Sequence, residues 1–252
     1  PEKCAAAREA GARVAETLAE VAEASEVVFL CVSDTPDVED VLFGERGLAE
    51  SLREGQVVVD TSTISPQATE EFAEMLAALG VDMLDAPLSG GQAGAIAGTL
   101  TVMCGGKREV FERVKPVMEA FGRNIVYCGG HGNGQRVKAI NQVICALNIL
   151  ALSEGLLLAK RLGLDLQTVY DVVSSGAAAS WMLSNLGPKI LAGDWAPGFF
   201  IRLQAKDLRI ASETAAGVEY SLAIRLERQS QVGADQVVGA FVARDDARIV
   251  IG

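Results

Sequence analysis

The chain has 252 residues, half of them apolar and few aromatic, enough to bury a sizeable core in one or two domains. Its formal net charge of -11 argues against nucleic acid or an anionic membrane as a partner, although a small anionic substrate can still meet a locally basic site. Five scattered cysteines without a CxxC pair suit the reduced thiols of a cytoplasmic protein, and a single histidine, His131, argues against a metal site built from a histidine cluster.

The first 26 residues, PEKCAAAREAGARVAETLAEVAEASE, are helical in pattern. From there short β-rich runs alternate with amphipathic stretches. EVVFLCV (26–32), QVVVD (56–60), VDMLD (81–85), TLTVMCGG (99–106) and NIVYCG (124–129) are predicted strands. Between them, SPQATEEFAEMLAALG (65–80) is predicted helical, with Ser65 as N-cap, Pro66 at the first helical position and Gly80 at the end. KREVFERVKPVMEAFG (107–122) is a second helix, with Pro116 able to kink it. Such alternation implies a mostly parallel sheet with helices on its faces. No GxGxxG turn, the usual pyrophosphate cradle of such sheets, stands near the start.

Beyond residue 130 the strand signals stop. Helices are predicted at about 133–161, 165–175, 180–192 and 203–216. The first contains VICALNILALSEGLLLA (143–159), whose apolar run is broken by Asn148, Ser153 and Glu154, so it is expected to be a buried helix and not a membrane span. Directly before it comes GNGQRVKAINQ (132–142). Burying Lys138 there costs several kcal/mol unless the lysine has a task or turns neutral. Snorkelling to solvent from the helix end is the bland alternative.

Three more stretches carry candidate chemistry. DAPLSGGQAGAIAGTL (85–100) leaves a strand through Ser89-Gly90-Gly91, where glycines let backbone N–H groups approach an anion. DTSTIS (60–65) ends another strand with hydroxyl residues, and KDLRIA (206–211) sets Lys206 beside Asp207. Singly, these are explained by a turn, a helix cap and a solvated ion pair.

Together, DTSTISP, DAPLSGG followed by AGTLTVMCGG, GNGQRVKAINQ, SWMLSNLGPKIL and KDLRIA resemble the β-hydroxyacid dehydrogenase family, over residues 1–216 and in the family's order. The resemblance implies an incomplete Rossmann-like parallel-sheet domain (1–130), an all-α substrate and dimerisation domain opened by a long interdomain helix (131–216), and a divergent tail (217–252). It implies an NAD(P)-dependent oxidoreductase that interconverts a small β-hydroxyacid and its semialdehyde. Lys138 is then the catalytic acid/base and Asn141 its substrate-orienting partner. Ser89, Gly90, Gly91 and Asp207 go to the carboxylate-bearing substrate, and Val32, Ser33, Thr63 and Lys206 to NAD or NADP. Trp181, Phe199 and Leu203 are either pocket or core. The family's first strand, glycine loop, helix and second strand have no counterpart before residue 1. The chain is therefore expected to be N-terminally truncated and to bind the cofactor poorly by itself. A homodimer or homotetramer is expected of the full-length parent. The alternatives are a catalytically incompetent fragment or non-catalytic binding member of the same family, and an imine-reducing relative, which the lysine disfavours.

Overall fold

The structure is a computed structural model that describes residues 2–196, 198–222 and 224. The chain divides into two compact units, Pro1–Val137 and Lys138–Gly252.

The first unit opens on two helices, α1 (Glu2–Glu9) and α2 (Leu18–Ala24), where the sequence pattern suggested one helical stretch. The interruption follows from Gly11, at φ 91, and from Thr17, which caps α2 by accepting the Glu20 N–H. Strands β1 (Val27–Leu30), β2 (Val57–Asp60) and β3 (Asp82–Asp85) then pair in parallel, Val27 beside Val57 and Val57 beside Asp82. Helices α3 (Thr35–Phe43) and α4 (Pro66–Ala77) make the two crossovers. Helix α3 was not expected, yet its signals are local. Asp34 and Asp37 form a reciprocal capping box, a proline opens the helix, and Val38 and Leu42 recur four residues apart on its buried side.

After β3 the sense of the sheet changes. A two-residue strand β4 (Leu88–Ser89) and a short helix α5 (Gly91–Ala97) turn the chain back, so β5 (Leu100–Gly106) runs antiparallel to both β3 and β4. Helix α6 (Arg108–Met118) then returns it to β6 (Gly122–Gly129), parallel to β5. The sheet order is β1-β2-β3-β5-β4, with β6 also against β5. Strand alternation sorts the core into two faces. Val58, Val28, Leu30 and Met83 pack with Val38, Leu42, Phe72 and Leu76 of α3 and α4. Val57, Val59, Leu84 and Val102 pack with Val110, Phe111, Val114 and Met118 of α6. This is a mixed α/β sheet of Rossmann type.

The second unit is helical: α7 (Asn133–Arg161, whose first turn belongs to the first unit), α8 (Leu166–Ser174), α9 (Trp181–Ala192) and α10 (Ile201–Ala216). Asp165 and Ser180 cap α8 and α9 by accepting the Thr168 and Leu183 N–H groups. Leu152 and Leu156 of α7 form a small core with Leu183 of α9, bordered by Tyr170, Val173, Leu186 and Ile190. Trp181 and Phe199 are exposed. Of the expected tail 217–252, residues 223 and 225–252 lie outside the described residues.

Candidate active site

In the first unit the candidate residues gather at the carboxyl ends of the parallel strands, where open α/β sheets take their ligands. Val32 and Ser33 follow β1, and Thr63 follows β2. The two segments are joined, because the Val32 N–H donates to the Ser62 hydroxyl at 2.9 Å and the Thr61 hydroxyl donates to the Leu30 carbonyl at 2.6 Å. Ser33 is exposed and Thr63 half-buried.

Helix α7 starts against the same strand ends. Asp85, the last residue of β3, is wholly buried and accepts the Gly132 N–H at 2.9 Å and the Gln135 N–H at 3.0 Å. It thus caps the helix from 50 residues away, with its charge at the positive end of the helix dipole. Burial pushes the Asp85 carboxyl up, and the two N–H donors oppose that shift. Gln135 makes a second tie. Its side-chain nitrogen donates to the Ser62 carbonyl at 2.8 Å, and its oxygen accepts the Ile64 N–H at 3.2 Å, so the two peptide groups flanking Thr63 are held by one amide. The second glycine of GNG is required by packing. A Cβ on Gly134 would lie 2.2 Å from the Met103 carbonyl oxygen and 2.9 Å from that of Asp85. His131 is half-buried, and its ring Nε2 lies 3.1 Å from the Met83 carbonyl oxygen.

Ser89, Gly90 and Gly91 stand on β4 and the start of α5, on a strand paired with β5 and not with β2. Gly90 has φ 127 and Gly91 φ 61, left-handed values that side-chain-bearing residues adopt only with strain.

In the second unit the lysines and their neighbours meet around one side chain. Lys138, 7 % exposed, donates from Nζ to Gln142 Oε1 at 3.0 Å. Asn141 Nδ2 donates to the same oxygen at 2.8 Å and lies 3.5 Å from the Cys145 sulfur. Gln142 Nε2 donates to Asp207 Oδ2 at 2.6 Å, and the other Asp207 oxygen lies 3.0 Å from Lys206 Nζ. Asp207 is 2 % exposed. Lys138, Asn141, Lys206 and Asp207 are therefore brought together, but through Gln142, which the sequence reading passed over. Burial holds the Lys138 ammonium below the usual lysine range. Asp207 and Cys145 work against that shift, and Lys206 adds to it. A buried lysine of this kind can give up a proton and recover it nearer neutrality than a surface lysine. Asp85, Gln135 and Gln204 were also not singled out. Their signal is tertiary, since each acts on residues more than 45 positions away.

Two family models match the chain: the NAD-binding domain of 6-phosphogluconate dehydrogenase over residues 1–130, and the NAD-binding domain of NADP-dependent 3-hydroxyisobutyrate dehydrogenase over residues 132–241. The second match runs into the stretch read as a divergent tail. Among relatives, 2-hydroxy-3-oxopropionate reductase of Escherichia coli K12 is 46% identical over 212 residues, which span 84% of this chain and 73% of that one. L-threonate dehydrogenase of the same strain is 38% identical over 221 residues, 87% of this chain and 73% of that one. Among solved structures, 3-hydroxyisobutyrate dehydrogenase from Salmonella typhimurium superposes with a TM-score of 0.80 at 33% identity, covering 96% of this chain and 82% of that one.

Proposed function

The chain belongs to the β-hydroxyacid dehydrogenase family, and from that premise we propose that it interconverts a small β-hydroxyacid and its semialdehyde with NAD or NADP, using Lys138 as general acid and base. The observation that carries this reading is the buried Lys138 side chain, whose ammonium donates to Gln142 in a hydrogen-bonded cluster with Asn141, Asp207 and Lys206 and is held by burial below its ordinary range.

The residues present fit a nicotinamide cofactor at the carboxyl ends of β1 and β2. The exposed Ser33 and the half-buried Thr63 offer hydroxyls there, on backbone that Ser62 and Gln135 hold in place. A bound nicotinamide supplies or accepts the hydride. Charge that develops on the substrate oxygen needs a donor within hydrogen-bond reach, and Lys138 Nζ gives that oxygen a proton in the reductive direction and removes it in the oxidative one. Asn141 orients the hydroxyl without adding charge. Ser89 and the N–H groups of Gly90 and Gly91 take the substrate carboxylate. Asp207, a carboxylate with Lys206 and Gln142 on its two oxygens, is better suited to holding these side chains than to meeting an anionic substrate, and Lys206 with it adds positive charge beside Lys138.

A homodimer is proposed as well. Ile140, Ile144, Leu147 and Leu158 of α7 are exposed apolar side chains, and the first three recur at helical i, i+4, i+7 spacing. A stripe of that kind is complementary to a second copy of itself. Cytoplasmic residence accords with five free thiols.

The activity is tested by oxidation of glycerate and 3-hydroxyisobutyrate with NAD and with NADP, alongside isothermal titration of both nucleotides. Turnover of one hydroxyacid with one nucleotide supports the reading. Absence of both turnover and nucleotide binding in the full-length parent would defeat it.

A further inference from the structure

We propose that Gln142 is a positioning residue for Lys138: its side-chain amide ties the lysine on α7 to the Asp207–Lys206 pair on α10 and holds the ammonium in one place. The inference rests on the reading of Lys138 as proton donor and acceptor, and extends it to a residue that exchanges no proton itself.

The amide of Gln142 is fully used. An amide oxygen offers two lone pairs and the nitrogen two N–H groups. The oxygen accepts from Lys138 at 3.0 Å and from Asn141 at 2.8 Å. The nitrogen donates to Asp207 at 2.6 Å and to Gln204 Oε1 at 3.3 Å. These partners allow only one orientation. Turned over, the amide would present N–H groups to an ammonium and to the Asn141 amide, and an oxygen to the Asp207 carboxylate. Gln204 braces the arrangement from α10, since its own nitrogen donates back to the Gln142 backbone carbonyl at 3.4 Å.

The choice of side chain follows from charge. Glutamate at this position would set a second carboxylate against buried Asp207. An aliphatic residue would leave Asp207 with an unmet acceptor and Lys138 with one partner fewer, each a buried polar group. The amide alone accepts from a cation and donates to an anion at once. Lysine is a flexible four-carbon stem, and a proton donor held in a single position avoids reorganisation as charge develops. The ionisable groups that face Lys138 are Asp207 and Lys206 on α10 and Cys145 on its own helix.

Carbon-13 NMR titration of the Lys138 side chain in the whole protein, with the signal assigned by its loss in Lys138→Ala, tests this together with the kinetics of glycerate oxidation. In Gln142→Leu the acceptor for the ammonium is gone, so the titration midpoint moves to lower pH and kcat falls about 10²-fold, with KM little changed. In Gln142→Glu, which keeps the shape, the midpoint moves to higher pH. Either readout without the other overturns the proposal: an unmoved midpoint leaves Gln142 a packing residue, and an undiminished kcat makes the contact irrelevant to proton transfer. Failure of the underlying reading looks different. If Lys138→Ala itself retains turnover, the lysine is not the acid/base and the positioning role falls with it.

Discussion

The Asp85 carboxylate accepts the Gln135 backbone N–H at 3.0 Å, so the last residue of β3 caps the helix that carries Lys138. The same carboxylate accepts the Gly132 N–H. In Asp85→Ala both donors lose their partner in a buried place, at a cost of about 1–3 kcal/mol for each group left unsatisfied. Urea unfolding should show a lower midpoint. An unchanged midpoint would mean that water or a shifted backbone satisfies the helix start equally well.

Gln135 holds the peptide groups on both sides of Thr63. Gln135→Leu keeps the volume and removes both hydrogen bonds, each of about 0.5–1.5 kcal/mol net. The loop after β2 loosens, and affinity for the nicotinamide nucleotide drops about tenfold, the equivalent of roughly 1.4 kcal/mol. Isothermal titration measures it. Equal affinity in the variant would show that the order of this loop contributes nothing to cofactor binding.

With the proposed acid/base role, Lys138 is a site where function and stability oppose each other. Its pKa in the folded chain lies below the unfolded value because burial disfavours the ammonium. Between the two pKa values the unfolded chain binds more protons, so stability rises with pH in that window, and below the folded pKa the penalty is present in full. Lys138→Met should therefore raise the melting temperature at neutral pH, with the gain shrinking as pH climbs towards the ordinary lysine range. Melting curves at stepped pH would contradict this if the gain were absent or grew with pH.

The strands and the long helix were legible because their signals are local. The VVFL and VVVD runs, Ser65-Pro66 before α4 and the apolar length of α7 need no partner to be read. Helix α3 was equally legible, from its Asp34 and Asp37 capping box, its opening proline and the Val38–Leu42 spacing. The antiparallel reversal at β5 was hidden in a two-residue strand and a short helix. Lys138, Asn141, Lys206 and Asp207 could be named from their motifs, whereas Gln142 could not, since what distinguishes it is a hydrogen bond to Asp207 across 65 positions. An amide four residues after a lysine is ordinary helix surface until its partner is known.

The central claim is that Lys138 exchanges the substrate proton, and kcat for hydroxyacid oxidation by Lys138→Ala tests it most directly. A positioned acid/base contributes about 10²–10⁴-fold, so the variant should remain folded and lose that much turnover. A folded variant whose kcat stays within about threefold of the unaltered protein, far below the contribution of such a group, would contradict the claim.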